Sequence, residues 1–504
     1  MQVEIMDTTL RDGEQTSGIA FSDSEKLNIA KVLLEEVKVN RIEVASARIS
    51  KGEYLAVKKI IDWASSKGIA DKIEVLGFVD GGTSIDWIRE SGAKVVNLLC
   101  KGSLKHVNSQ LRKTPEEHAT DVARTIAYAL QKGLQVNLYL EDWSNGMRNS
   151  SDYVFFMIDK LKDIGVTRFM LPDTLGILNP EEMFDFCSQI RVHFPDLHFD
   201  THTHNDYDLA VANALAAIRA GFNGVHCTVN GLGERAGNAR LSSIVAVLKD
   251  HQKISLTVNE AKLNKISKLV EAFSGFRIPH NEPLVGENVF TQTCGVHADG
   301  DSKDKLYFND LMPERFGRIR QYALGKTSGK ASIKNNLREL GIELDPESMK
   351  KVTQRVVELG DKKEFISKDD LPFIIADVLG TAVQDEKVKV LNYYTCHAYN
   401  LKPVATVCLA IENESYEENA TGDGQYDAFM QACKKIYHRL KKPFPLLANY
   451  VVRIPPGGRT DALVETIISW DLQGKELKTR GLDSDQTESA IKATVKMLNM
   501  IEYM

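Results

Sequence analysis

The sequence predicts an α/β protein built on a (β/α)8 TIM barrel, followed by helical and loop subdomains and a C-terminal α+β domain. Three observations carry this. Eight short β-rich runs alternate with longer stretches of helical apolar spacing across roughly the first half of the 504 residues. Unusual polar residues gather where those runs end, as function does in such barrels. No G-x-G-x-x-G follows any run, which disfavours an open dinucleotide-binding sheet.

The runs are residues 3–7, 41–45, 73–79, 95–99, 135–140, 168–171, 198–202 and 224–229. Between them, "SEKLNIAKVLLEEV" sets Leu27, Ala30, Leu33, Leu34 and Val37 on one helical face. "EEHATDVARTIAYALQKG", "EEMFDFCSQIRVHF" and "DLAVANALAAIRAG" do the same. Ser22, Thr114-Pro115 and Asn179-Pro180 are helix-start signals. Gly133 and Gly221 stand where helices should stop. Strands alternating with helices of this length imply right-handed parallel crossovers, and eight of them fit a closed barrel.

The first run leads through Asp7 to Arg11 and Asp12. The fifth ends in Glu141-Asp142, the sixth in Pro172-Asp173-Thr174, the seventh in His202 and His204, and the eighth leads through "NGLGERAGN" to Asn238. His202 and His204 share a strand face, and two imidazoles aimed at one point commonly hold a metal. Strand eight of a closed barrel neighbours strands seven and one. Asp12, His202, His204 and Asn238 therefore converge, in a donor mixture that suits Mn²⁺, Zn²⁺, Co²⁺ or Mg²⁺ with open positions. Arg11 keeps its charge at any relevant pH and can hold a carboxylate or an enolate oxygen. The plainer reading is an ion pair with Asp7, Asp12 or Glu14. Glu141 and Asp142 can supply a base or position water. Strand six carries no lysine, which disfavours Schiff-base chemistry.

Beyond the barrel, residues 258–276 read as a helix, and "TQTCGVHADG" and "ALGKTSGKASI" read as Gly-rich loops. "VKVLNYYTCHAYN", "VATVCLAIEN", "ANYVVRIPP" and "ALVETIISWDLQG" look like strands, with a helix through Ile436 and an amphipathic helix at "SDQTESAIKATVKMLNM". The junction is set at "SKDDLP". The expected domains are 1–255 catalytic, 256–370 linker subdomains completing the active site, and 371–504 regulatory. A net charge of -6 and a pI of about 6.1 argue against a nucleic-acid or membrane-surface binder. No apolar run reaches the roughly 18 residues of a membrane helix, and no signal peptide is legible. Seven scattered cysteines without CxxC spacing point to a reduced cytoplasm.

"DTTLRDGEQ", "HTHND" and "GLGERAGN", in this order on a predicted barrel, resemble the metal-dependent Claisen-condensing synthases: 2-isopropylmalate, citramalate and homocitrate synthase, with 3-hydroxy-3-methylglutaryl-CoA lyase as a relative. "CGVHADG" resembles the family's subdomain motif. "GDGQYDA", "TDALVET" and "TRGLDSDQTESAIKATVKMLN" resemble the regulatory domain of isopropylmalate and citramalate synthases. The resemblance implies Asp12, His202 and His204 as ligands of a divalent metal (Mg²⁺, Mn²⁺ or Zn²⁺), with Asn238 as a more distant ligand. It implies Arg11 at the keto or enolate oxygen, Thr174 at the substrate carboxylate and Glu141 as an acid tied to catalysis. His297 is implied as the base for acetyl-CoA, reaching in from the partner of a homodimer. A monovalent cation activator also fits this family.

The first substrate expectation is 2-oxoisovalerate, in leucine synthesis, with leucine as effector. Pyruvate, feeding isoleucine, is the alternative, and a smaller, more tightly filled pocket would mark it. Homocitrate synthase is third and needs a cation for a distal carboxylate, for which Lys105 and His106 are the candidates. A barrel that has lost catalysis and only binds an amino acid is the reading from another class; the intact set of Arg11, Asp12, His202 and His204 speaks against it. "CKGSLKHVNSQL" and "EDWSNG" depart from well-known isopropylmalate synthases at the loops expected beside the 2-oxo acid side chain.

Overall fold

Eight parallel strands close into a barrel in sequence order: β1 (Glu4–Asp7), β2 (Arg41–Ser46), β3 (Ile73–Phe78), β4 (Val95–Lys101), β5 (Gln135–Glu141), β6 (Val166–Asp173), β7 (Phe199–Thr203) and β8 (Gly224–Cys227). β8 pairs back onto β1, from Glu4 opposite Gly224 to Asp7 opposite Cys227. Every run read from the sequence is a strand, with ends displaced by two residues at most. The computed structural model describes residues 3–361, 366, 368, 371–379, 387–412, 414–453, 464–472 and 475–502. The chain divides into two units, Met1–Gln292 with Lys303–Gln321, and Thr293–Ser302 with Tyr322–Met504.

The barrel helices are α1 (Asp23–Lys31), α2 (Lys51–Ser66), α3 (Thr83–Glu90), α4 (Pro115–Gln131), α5 (Trp143–Leu161), α6 (Pro180–His193), α7 (Ala210–Arg219) and α8 (Leu241–Gln252). Ser22 with Glu25, Thr114 with Glu117 and Asn179 with Glu182 form capping boxes at α1, α4 and α6. Such caps are worth about 1 kcal/mol each. Gly133 and Gly221 follow α4 and α7 with φ of 80° and 100°, the left-handed stop that glycine adopts without strain. A further helix, α9 (Leu263–Ser274), stands where residues 258–276 were read as helical.

Period two sorts the strand residues into two populations. Ile42, Val44, Val96, Leu98, Val136 and Leu138 belong to the apolar core shared with the helices. Arg41, Glu43, Glu74, Asn97, Asp200 and His226 point the other way, are buried, and bond across the barrel interior. Arg41 donates to Glu74 at 2.7 Å and to Asp200 at 2.6 Å. A paired polar network thus fills part of the barrel interior, since buried charge persists only where it is matched.

The second unit has its own cores. α10 (Gly295–Ser302), α11 (Lys330–Glu339), α12 (Pro346–Asp361) and α13 (Leu371–Leu379) are its first helices, and Ile333, Leu337, Val352, Val356 and Leu371 pack together there. Two three-stranded antiparallel sheets follow. The first is β9 (Val388–Cys396), β10 (Val404–Ile411) and β11 (Glu414–Thr421), and then comes α14 (Gln425–Arg439). The second is β12 (Leu446–Arg453), β13 (Val464–Leu472) and β14 (Lys475–Asp483), and then comes α15 (Gln486–Glu502). Phe429, Tyr437, Ile468, Trp470, Met497 and Leu498 centre their core.

Two expectations are corrected. "CGVHADG" is not a loop but α10, and the end of "ALGKTSGKASI" begins α11. A Cβ on Gly295 would lie 2.5 Å from the Gly329 nitrogen, so these glycines serve backbone contact, not a turn. Strands β11 and β14 were not read at all, because their charged residues give no apolar alternation. Of the expected junction "SKDDLP", residues 367, 369 and 370 lie outside the described residues. Among the described residues no helix is long and apolar enough to cross a membrane, and all seven cysteines are free.

Asp7 closes β1 with one oxygen accepting from the Thr9 N–H at 3.0 Å and the other buried without a partner. Burial pushes its carboxyl up to about 7. The folded protein therefore holds a proton that the unfolded chain releases near pH 4. The stability tied to that proton is complete below pH 4 and is lost as pH rises to 7. Unfolding free energies from urea titrations between pH 4 and 7 should fall for the native protein relative to Asp7→Asn, by up to about 1.4 kcal/mol per pH unit. Parallel profiles would contradict this.

Candidate active site

The turn after β1 folds around one carbonyl: the N–H groups of Arg11, Asp12 and Gly13 all donate to the Thr8 oxygen at 2.9–3.1 Å. That curl delivers Arg11 and Asp12 to the mouth of the barrel. Glu43 on β2 receives the arginine. Its Oε2 accepts from Arg11 Nε at 2.5 Å and from the Thr8 hydroxyl at 2.7 Å, and its Oε1 accepts from Asn97 Nδ2 at 2.8 Å. Burial works against the Glu43 carboxylate, and Arg11, Asn97 and Thr8 overcome it and hold it below the usual range. The Arg11 guanidinium also lies over the Tyr139 ring, 5.7 Å from its centre, with Nη1 3.5 Å from Asp12.

Asp12, His202 and His204 meet within 4.8 Å of one another, all buried. His202 Nε2 stands 3.0 Å from Asp12 Oδ2, His204 Nε2 stands 3.7 Å from the same oxygen, and the two Nε2 atoms are 3.3 Å apart. Asn238 donates through Nδ2 to Asp12 Oδ2 and to the Leu232 carbonyl, both at 3.0 Å. Burial pushes His202 below its ordinary value and His204 down to about 4, with Asp12 pulling the other way. Burial thus favours the neutral form of both rings, the form in which imidazole ligates a metal. Burial opposes ionisation of Asp12, yet Arg11 and the two histidines hold its carboxyl well below the usual range. The Asn238 carbonyl oxygen is buried with no partner, an oxygen donor ready for a cation. This donor set, two nitrogens with one carboxylate and one amide oxygen, fits a divalent cation with open positions.

The remaining expected residues are placed differently. Glu141 ends β5 in an ion pair with Lys101, apart from the histidine cluster in its contacts. The Thr174 hydroxyl oxygen accepts the Asp142 N–H at 2.8 Å, and Arg235 donates to the Thr174 carbonyl at 2.8 Å. His297 is half-buried on α10 of the second unit. Arg11 pairs with Glu43 and Asp12, not with Asp7 or Glu14. The segments "CKGSLKHVNSQL", helical from Leu104 to Leu111, and "EDWSNG", whose Trp143 begins α5, pack on each other: Ser103 donates to Asp142 at 2.7 Å, and a Cβ on Gly146 would meet the Gly102 oxygen at 2.0 Å.

Sequence reasoning missed Glu43, Tyr139, Asn97, Asp200 and His226. A signal existed, because "RIEV" and "DTH" alternate polar with apolar residues on barrel strands. It also missed an apolar wall on β3 to β6. Leu76, Tyr139 and Met170 are buried together with Met6, and half-buried Phe78 and Leu99 pack against them. Phe78 is paired with Leu99 and Leu99 with Tyr139 across neighbouring strands.

Fold and site together define a (β/α)8 barrel with a candidate divalent-metal centre at its C-terminal mouth. A family model described as HMGL-like matches residues 2–270. One described as homocitrate synthase post-HMGL domain-like matches 284–364, and one described as LeuA allosteric (dimerisation) domain matches 365–502. The (R)-citramalate synthase of Methanocaldococcus jannaschii is 33% identical over 503 residues, covering 99% of this chain and 100% of that one. The 2-isopropylmalate synthase of the same organism is 33% identical over 509 residues, covering 99% and 95%. The 2-isopropylmalate synthase of Halalkalibacterium halodurans is 32% identical over 512 residues, covering 99% and 96%. The chain belongs to the HMGL-like family, in the group of the 2-isopropylmalate and citramalate synthases.

A ligand that binds only the folded state raises stability by about 2.7 kcal/mol at 100 times its Kd. Mn²⁺ should accordingly raise the melting midpoint of the native protein and leave those of Asp12→Ala and His202→Ala unmoved. Equal shifts in all three would place the cation elsewhere.

Proposed function

We propose that the protein condenses acetyl-CoA with a small apolar 2-oxo acid, and that this acid is pyruvate, giving citramalate and CoA. One observation carries the choice: the apolar wall of Leu76, Phe78, Leu99 and Tyr139 facing the polar wall of the barrel mouth. A 2-oxo acid whose carboxylate and keto oxygen lie toward Arg11 and Asp12 turns its substituent to Leu99 and Phe78. A methyl group suits a wall already filled by these four bulky side chains. An apolar pocket sized for an isopropyl group discriminates poorly against a smaller one, by roughly 1–3 kcal/mol per carbon, so filling is the effective way to select pyruvate. A distal carboxylate, as in homocitrate synthesis, would be buried unpaired there. The His106 ring already faces Asp142 at 3.5 Å and Lys105 is exposed, so neither supplies the needed cation.

The second reading, 2-oxoisovalerate giving 2-isopropylmalate, is favoured by the match of residues 365–502 to a LeuA domain. Identity of 33% to relatives of both names does not separate the two.

Asp12, His202 and His204, with Asn238, would hold the divalent cation, which when bound supplies Lewis-acid polarisation of the keto group. Arg11, fixed by Glu43, stabilises the oxygen whose negative charge grows as the new C–C bond forms. Thr174 uses its oxygen to accept from Asp142, which leaves its own proton to donate to the substrate carboxylate. By the family resemblance, His297, reaching in from the other subunit of a homodimer, takes the methyl proton of acetyl-CoA, and Glu141 is the acid tied to the later proton movements. Water then cleaves the thioester and releases CoA. Residues 371–504 form the dimerising regulatory domain of a cytoplasmic homodimer. Its effector is a branched-chain amino acid, isoleucine under the first reading and leucine under the second.

CoA release, followed with a thiol reagent and supplied with one 2-oxo acid at a time, tests this. Pyruvate should exceed 2-oxoisovalerate by at least about tenfold in kcat/KM, and Leu99→Ala should narrow that ratio by roughly tenfold. Preference for 2-oxoisovalerate in the native protein would overturn the pyruvate assignment.

A further inference from the structure

His226 and Asp200 lie in the barrel interior beneath the candidate centre, and no role above uses them. Both are fully buried. Tyr139 Oη stands 3.0 Å from His226 Nδ1, and His226 Nε2 stands 3.1 Å from Asp200 Oδ2. Asp200 Oδ2 also accepts from Arg41 Nη2 at 2.6 Å, and Asp200 Oδ1 lies 2.9 Å from His198 Nε2. At the other end, Arg11 Nη2 lies 3.4 Å from Tyr139 Oη. Five side chains from β1's turn, β2, β5, β7 and β8 thus form one line of hydrogen bonds, bounded by an arginine at each end.

That boundary fixes the direction of every bond. A guanidinium only donates and a carboxylate only accepts. Asp200, which already accepts from Arg41, therefore accepts from His226, so the proton of the neutral ring sits on Nε2. Nδ1 is then a bare acceptor, and Tyr139 donates its O–H to it. The Tyr139 oxygen is left with its lone pairs toward Arg11. With the other tautomer, the Tyr139 proton would be turned toward the arginine. Tyr139 stands edge-on to both His202 and His226, with interplanar angles of 89° and 84°, so its ring has one seat.

We propose that Asp200 and His226 are positioning residues that set the direction of the Tyr139 hydroxyl, so that its oxygen accepts from Arg11 and holds the guanidinium between Tyr139 and Glu43 with Nη1 toward Asp12. The consequence for turnover rests on the function proposed above, in which Arg11 meets developing charge. An arginine already oriented needs no reorganisation when that charge appears.

Histidine-specific ¹⁵N spectra and a set of His226 variants test the proposal together. In the native protein the His226 resonances should show a proton on Nε2 and a bare Nδ1, whose shift moves in Tyr139→Phe. A proton on Nδ1 overturns the proposal whatever the enzyme turns over. With pyruvate and acetyl-CoA, His226→Gln keeps a polar group only near the Nε2 position, and His226→Asn keeps one only near Nδ1. The glutamine variant should lose roughly tenfold to a hundredfold in kcat, with the KM for acetyl-CoA unchanged and the melting midpoint preserved. The asparagine variant should lose less. In a Tyr139→Phe background, His226→Gln should cost nothing further. Equal losses in the two variants, or an additive loss in the double variant, assign His226 a purely structural role and overturn the proposal. If the native protein turns over no 2-oxo acid, the proposed function fails, and the ¹⁵N spectra still decide the bond direction.

Discussion

The contact between Arg11 and Glu43 holds the candidate site in place. Arg11 sits on a turn that has already left its strand, while Glu43 is anchored inside β2 and bonded to Asn97 on β4. The same carboxylate takes the Thr8 hydroxyl, so one side chain fixes the start of the turn and the arginine on it. Asp12 follows with no freedom of its own, and His202, His204 and Asn238 close around it. A buried pair of this kind contributes little net stability by itself. Its value here is orientation: remove Glu43 and a buried guanidinium loses its direction and its counter-charge together.

From this anchor the barrel mouth divides into two walls. Strands β7, β8 and the turn after β1 carry nitrogen and oxygen donors. Strands β3 to β6 carry Leu76, Phe78, Leu99, Tyr139 and Met170. Tyr139 belongs to both, with its ring in the apolar wall and its hydroxyl between Arg11 and His226. A two-faced pocket suits a two-faced substrate, with adjoining oxygens at one end and a short hydrocarbon at the other. The polar network beneath it, from Arg41 through Asp200 and Glu74, shares the barrel interior with Met6, Leu76 and Met170 and ties the strands together below the mouth.

Most of the barrel was legible in the sequence because its strands turn apolar faces to the helices and its helices carry strong caps at Ser22, Thr114 and Asn179. The meeting of Asp12, His202, His204 and Asn238 was legible too, from strand period and barrel closure. Glu43, Tyr139 and His226 were not read, because a single polar residue in a strand looks like an exposed one until closure turns it inward. α10 was hidden by Gly295, which serves contact with Gly329, and β11 and β14 by charged residues that mask alternation. The recurrence of three strands and a helix in the second unit was hidden for the same reason.

The most direct test offers acetyl-CoA with an equimolar mixture of pyruvate and 2-oxoisovalerate, and identifies the acid formed by mass spectrometry, with and without a chelator. Citramalate should be the dominant product, with no product once the divalent cation is removed. Dominant 2-isopropylmalate would contradict the reading of the apolar wall, and condensation that survives the chelator would contradict the metal centre itself.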